Sequence, residues 1–176
     1  MKRHHLAFAA GLLLCSHLAA RADTFSDKTG LITTTLATEA AQATLDDCRK
    51  KGFDVAVTVV DAWGQNIVLL RHELARPHTV VGSQMKAYTI VTLGPLMSQT
   101  GTSGLSQALL GTTSSAQVAN IPGILLIQGG VLIKDSKGVT YGGIGVAGSK
   151  QAQPGQLGND EQCANVGVAK IQSKLP

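Results

Sequence analysis

Apolar positions divide this chain into segments of two different periods. Ile32, Leu36, Ala40 and Ala43 recur at helical spacing, with Ala37, Ala41, Leu45 and Cys48 on the adjoining stripe, which predicts a long helix from Asp23 to Lys51. Gly52 follows, where a helix C-terminus favours glycine. Val55 to Val60 is β-branched and apolar, Asp61-Ala62-Trp63-Gly64 supplies turn residues, and Ile67 to Leu70 is apolar again; residues 54–71 therefore predict a β-hairpin. Pro77 breaks the chain, and Thr79 is the predicted N-cap of a helix running through Met85 and Tyr88 to Leu93, which Gly94-Pro95 stops. A Ser/Thr/Gly-rich stretch from Ser98 to Ser115 holds a short predicted helix around Leu105–Leu110. Three strands are predicted next, Ile124–Gln128, Val131–Lys134 and Val139–Val146, with Gly129-Gly130 and Asp135-Ser136-Lys137-Gly138 as turns. A loop rich in Gly, Gln and Pro leads into a last helix from Asn159 to Lys174. The order α-ββ-α-α-βββ-α predicts the α+β class: one domain with a mostly antiparallel five-stranded sheet flanked by helices.

Charge changes the picture only at the N-terminus. Lys2 and Arg3 precede an apolar run from Leu6 to Leu14, and Ala20-Arg21-Ala22 offers small residues for cleavage. That order predicts a signal peptide over residues 1–22, a mature start at Asp23 and a periplasmic or secreted protein. The run is too short for a permanent membrane anchor, which takes roughly 20 residues. The whole chain carries 15 Lys and Arg against 11 Asp and Glu, but three of the bases and none of the acids lie in the leader. The remaining chain is close to neutral, which excludes a basic nucleic-acid-binding domain. Aromatics make up 3% of the chain, so the core must come from Val, Ile, Leu and Ala. Beyond the leader two cysteines remain, Cys48 and Cys163, which read equally as a disulfide across two helices or as two buried thiols.

Most familiar chemical motifs are absent. Gly143-Ile144-Gly145-Val146-Ala147-Gly148 matches a dinucleotide fingerprint by letter, but too little chain follows to complete a βαβ unit. There is no CxxC, HExxH or P-loop, and the two histidines and two cysteines beyond the leader are too dispersed for a zinc cluster. No nucleophile elbow frames any serine. What remains is Arg71-His72-Glu73-Leu74-Ala75-Arg76-Pro77-His78-Thr79, where both histidines beyond the leader stand beside two arginines between a strand end and a helix start. Imidazole ligates iron or takes protons near neutral pH, and arginine pairs with carboxylates; the alternative reading is a solvated loop.

The run Val57-Thr58-Val59-Val60-Asp61-Ala62-Trp63-Gly64, followed by Pro77-His78-Thr79 and Lys86-Ala87-Tyr88-Thr89, resembles the GlcG/HbpS family of haem-degrading domains. Pro122-Gly123, Gly129-Gly130-Val131, Gly142 to Gly148, Asp160-Glu161 and Cys163-Ala164 extend the resemblance over nearly all of residues 23–176. Two positions depart from the family pattern: Ala147 stands where serine is common, and Trp63 where glycine is common. The resemblance implies a compact, profilin-like α/β sandwich assembled into homo-oligomers. It implies haem or a related tetrapyrrole as ligand for some members, with exported members serving haem capture or oxidative-stress handling. On that basis the expectation is a haem-binding protein rather than an enzyme, with a haem-degrading enzyme or a haem-free metabolite-binding module as alternatives. His78, in the family-like Pro-His-Thr element, is the expected iron ligand, with His72 its rival. Arg71 and Arg76 are expected at the haem propionates, and Lys86 or Tyr88 along the same pocket.

Overall fold

The computed structural model describes residues 29–150 and 156–176. The leader expected over residues 1–22, and the beginning of the predicted first helix up to residue 28, lie outside the described residues. The first helix, α1 (Thr34–Lys50), starts where the Thr33 hydroxyl accepts the Leu36 N–H at 3.3 Å. This is later than the apolar spacing predicts, because Ile32 is buried from an extended segment and Thr29 bridges to Thr140. The hairpin follows as β1 (Ala56–Asp61) and β2 (Asn66–Arg71). Next come α2 (His78–Leu93), α3 (Thr102–Leu109) and a short α4 (Ser115–Ala119), then β3 (Gly130–Lys134), β4 (Thr140–Ala147) and α5 (Asn159–Ile171).

The sheet has four strands in the order β2-β1-β4-β3, each antiparallel to its neighbour. The expected fifth strand, Ile124–Gln128, does not form. Its backbone is bonded instead by side chains of helices. Thr89 Oγ1 accepts the Leu125 N–H at 2.8 Å, and Ser106 Oγ donates to the Leu126 carbonyl at 2.7 Å. The free edge of β3 is met by the segment just before α3, with the Leu132 N–H donating to the Thr100 carbonyl at 2.8 Å. Thr79 does not cap α2: its hydroxyl donates back to the Arg76 carbonyl at 2.6 Å, which leaves Pro77 at the N-cap position.

Both faces of the sheet are covered, which is why β1 reads as a nearly continuous apolar run, interrupted only by Thr58 before its last residue Asp61, rather than as an alternation. On one face Val57, Val59, Ile144 and Val146 meet Ala37, Ala40 and Ala41 of α1 and Ala164 of α5. Cys48 and Cys163 form a disulfide there, joining α1 to α5 at a Cα–Cα distance of 5.5 Å. On the other face Val60 and Leu132 pack against Ala87, Ile90 and Val91 of α2. That helix lies close on the sheet because β4 has glycine beneath it. A Cβ on Gly145 would stand 2.0 Å from the Ser83 carbonyl oxygen and 2.5 Å from the Ala87 nitrogen. The letters that mimic a dinucleotide motif therefore serve helix–sheet packing.

Candidate functional site

Antiparallel pairing fixes where the chain can build a site. Ala56 opens β1 opposite Arg71, the last residue of β2, and opposite Ala147, the last residue of β4. The segments before β1, after β2 and after β4 therefore gather at one end of the sheet, where the first turns of α2 and α5 also arrive. Between them is a groove of about 590 Å³. Phe53, Leu125, Ile127 and Ala147 supply apolar wall; Asp54, Arg76, His78, Lys86, Lys150 and Asp160 supply charge and hydrogen-bonding groups. A smaller cavity of about 280 Å³ adjoins it and shares Ile127, Ser149, Lys150 and Asp160.

Three of the six residues singled out from the sequence line the groove together. His78 is the first residue of α2 and is exposed, with the preceding Pro77 held in the helical region. Arg76 is exposed at the rim. Lys86, two turns along α2, is 4% exposed. Its Nζ donates to Asp160 Oδ2 and to the Val146 carbonyl, both at 2.8 Å. An ammonium has three N–H groups, so one remains beyond these two bonds. Gly129 makes room for this pair, since a Cβ there would sit 2.9 Å from Lys86 Nζ at a φ of +131°.

The other three do not line the groove. The Arg71 guanidinium turns back and donates to the Ala75 carbonyl. His72 is buried, with Nδ1 3.0 Å from Asp54 Oδ1. Tyr88 packs against the turns at Gly64 and Gly123. Beside His72, the exposed Glu73 carboxyl is held below the usual glutamate range, first by its own backbone N–H and then by the His72 charge.

Asp54, Lys150 and Asp160, from which the sequence leads one to expect no role, line the groove as well. Asp160 and Glu161 open α5 on its buried side, together with Cys163, Ala164, Gly167 and Ile171, and buried carboxylates need partners. Asp160 takes Lys86 and, through Oδ1, the Ser149 N–H at 3.0 Å. Glu161, 3% exposed, accepts the Ser103 N–H at 3.0 Å, the Ser103 hydroxyl at 2.5 Å and the Gly129 N–H at 3.1 Å. It thereby ties the start of α3 to the loop that runs under Lys86.

The arrangement offers an exposed imidazole over a partly apolar groove with two cations, Arg76 and Lys150, at its edge. Among the described residues, no group of three or more His, Cys, Asp or Glu side chains could hold a bare metal ion. A ligand that brings its own metal in a flat, apolar and anionic frame fits this donor set better than a free cation does.

Comparison with known proteins gives an independent bearing. The family model described as haem degrading protein HbpS-like matches residues 32–169. A double mutant of HbpS from Streptomyces reticuli is 30% identical, with 96% of this chain and 97% of that one covered at a TM-score of 0.66. A second HbpS crystal structure is 34% identical over 80% of this chain and 90% of that one, also at 0.66. The crystal structure of a PduOC–haem complex is 22% identical over 81% of this chain and 96% of that one, at 0.64, and shows the fold alone. No curated protein sequence matches the chain.

Proposed function

We propose that this chain, which belongs to the HbpS-like family of haem-degrading proteins, binds haem in the groove at the α2 end of the sheet, with His78 as the iron ligand. The observation that carries this reading is His78 itself: an exposed imidazole on the first residue of a helix, beside a groove of about 590 Å³. Bound haem supplies an iron centre whose ligation and redox chemistry the surrounding protein tunes. This chain's residues supply the rest. Phe53, Leu125 and Ile127 offer apolar surface to the macrocycle, and the hydrophobic effect favours their burial against it. Arg76 and Lys150 offer charge-assisted hydrogen bonds to the propionates. Arg71, turned to Ala75, is no longer needed in that role.

Binding rather than turnover is the primary reading, because the buried base and acid of the groove, Lys86 and Asp160, are engaged with each other in a structural pair. The family's description favours degradation as the second reading. Haemin titrated into the purified protein separates the two. Wild type is expected to give a shifted Soret band that persists with ascorbate and oxygen, and steady bleaching of that band would establish turnover. In His78→Ala the shifted band is expected to be lost or weakened at least about tenfold, since even the loss of an outer-shell support of a metal ligand costs about that much. A His78→Ala protein that binds like wild type would overturn the assignment.

Export belongs to the same proposal, with residues 1–22 removed and the mature protein acting in the periplasm or outside the cell. The disulfide between Cys48 and Cys163 supports it, since such bonds persist in oxidising compartments. Self-association is part of it too. Trp63 and Leu69, on the hairpin whose β2 forms a sheet edge, are 49% and 40% exposed and offer apolar surface to a second copy.

A further inference from the structure

Arg71 and His72 sit at the head of the segment that carries Arg76 and His78, yet neither lines the groove. Both are spent on holding that segment. Arg71, fixed as the last residue of β2 opposite Ala56, donates from its guanidinium to the Ala75 carbonyl. The His72 N–H donates to the Val55 carbonyl at 3.0 Å, and the His72 carbonyl accepts the Ala75 N–H at 2.9 Å. The turn then closes on Arg76, whose carbonyl accepts both the N–H and the hydroxyl of Thr79, at 3.0 and 2.6 Å. The His72 imidazole adds a tie to the opposite side of the groove. Its Nδ1 lies 3.0 Å from Asp54 Oδ1 and 3.3 Å from the Leu74 nitrogen. Protonated at Nδ1, the ring donates to Asp54; unprotonated there, it accepts from Leu74. In either state the ring, only 8% exposed, anchors the loop from within.

We propose that Arg71 and His72 are positioning residues for the haem site: they clamp the segment from Leu74 to His78 and so fix the direction from which the His78 imidazole reaches the iron. This rests on the haem reading above. Ligand-supporting contacts of this kind orient a metal-binding histidine without touching the metal, and a loop left to its own entropy would present the imidazole over many directions.

Four variants test the clamp. Arg71→Met removes the donor and keeps the stem; Arg71→Lys keeps a donor. His72→Ala removes the ring; His72→Asn supplies an amide able both to donate to Asp54 and to accept from Leu74. Hydrogen exchange of the haem-free protein is expected to rise several-fold across residues 74–79 in Arg71→Met and His72→Ala. Haemin affinity is expected to fall about tenfold in the same two variants, with the single iron spin state of wild type splitting into a high-spin and low-spin mixture. Arg71→Lys and His72→Asn are expected to restore both readouts. Arg71 is exposed, so Arg71→Met should keep the far-UV circular dichroism of wild type and decides the matter even if His72→Ala fails to fold. Unchanged exchange and an unchanged iron spectrum in Arg71→Met overturn the clamp, as does failure of both conservative variants to rescue. If His72→Ala alone abolishes the nitrogen-ligated spectrum while His78→Ala keeps it, His72 is the ligand and the clamp is wrong. If wild type shows no Soret shift, the haem reading fails, and exchange in the haem-free protein still decides whether the clamp exists.

Discussion

Lys86 is the residue on which the groove depends most, because it places a charge in the interior of a small fold. Removing an ammonium and a carboxylate from water is costly, and the cost is recovered only when both ends are paired and hydrogen-bonded. Here they are: Nζ has Asp160 and the Val146 carbonyl, and Asp160 has the Ser149 N–H as well. Asp160→Asn keeps an acceptor for Ser149 but leaves the ammonium uncompensated at 4% exposure. We expect it to lower stability by about 3–5 kcal/mol, read as a shift in the urea midpoint. Adding Lys86→Met should recover part of the loss, because an apolar chain of similar length needs no counter-charge. If the single and double variants are equally destabilised, the pair is not coupled in this way. At this scale the sequence was an uneven guide. His78 and Arg76 were legible because imidazole and guanidinium in one short segment stand out in any chain. Asp54 and Lys150 were not, because each is an ordinary surface letter that becomes part of a wall only when strand register brings residues 54, 71 and 147 to one end of the sheet.

Between elements, the tightest fit is that of α2 on β4. The Cβ that Gly145→Ala adds would meet backbone atoms of α2 at 2.0 and 2.5 Å, not the yielding end of a side chain. The whole helix would have to lift, together with Ser83, whose hydroxyl lies 2.8 Å from that of Thr58 beneath it. Overpacking of this kind costs about 1–3 kcal/mol, and more when backbone must move; we expect Gly145→Ala at or above the top of that range by denaturant unfolding. Because α2 also carries His78 and Lys86, the same variant should weaken haemin binding beyond what its fold loss explains. A variant as stable as wild type would show that the helix does not rest on this glycine. The elements themselves were largely readable. Periodicity located α1, the hairpin, α2, β3, β4 and α5, because each buries a regular stripe or a continuous apolar strand. It failed at Ile124–Gln128, whose apolar letters suit a strand equally well. What decides against one is the pair of hydroxyls on Thr89 and Ser106, from α2 and α3, that take its backbone bonds. A single sequence carries no local trace of such long-range partners. The same holds for Thr79, a good capping residue by type, which turns back to Arg76 because Pro77 already starts the helix.

On the scale of the whole molecule, one covalent bond ties the beginning of the fold to its end. Cys48 on α1 and Cys163 on α5 are separated by 115 residues in sequence, so their bond closes nearly the entire described domain into a loop. In the chain-entropy account a loop of that length is worth about 4–5 kcal/mol, through restriction of the unfolded chain. The bond also sits just after Asp160 and Glu161, which contribute to the groove and to the loop beneath it. Both sulfur-bearing residues are fully buried, which shields the bond from reductant while the protein is folded. Formation of the bond and export are then two faces of one proposal, and one measurement addresses both. The intact mass of protein recovered from the periplasm or medium is expected to match a chain beginning at Asp23 and lacking two hydrogens, with no thiol titratable after denaturation without reductant. The Cys48→Ala, Cys163→Ala double variant is expected to unfold earlier by several kcal/mol in urea, and to keep its haemin Soret band at low denaturant, because neither cysteine lines the groove. A recovered chain that retains residues 1–22 would overturn cleavage before Asp23, and two free thiols in freshly isolated protein would overturn the disulfide and with it the support it gives to export.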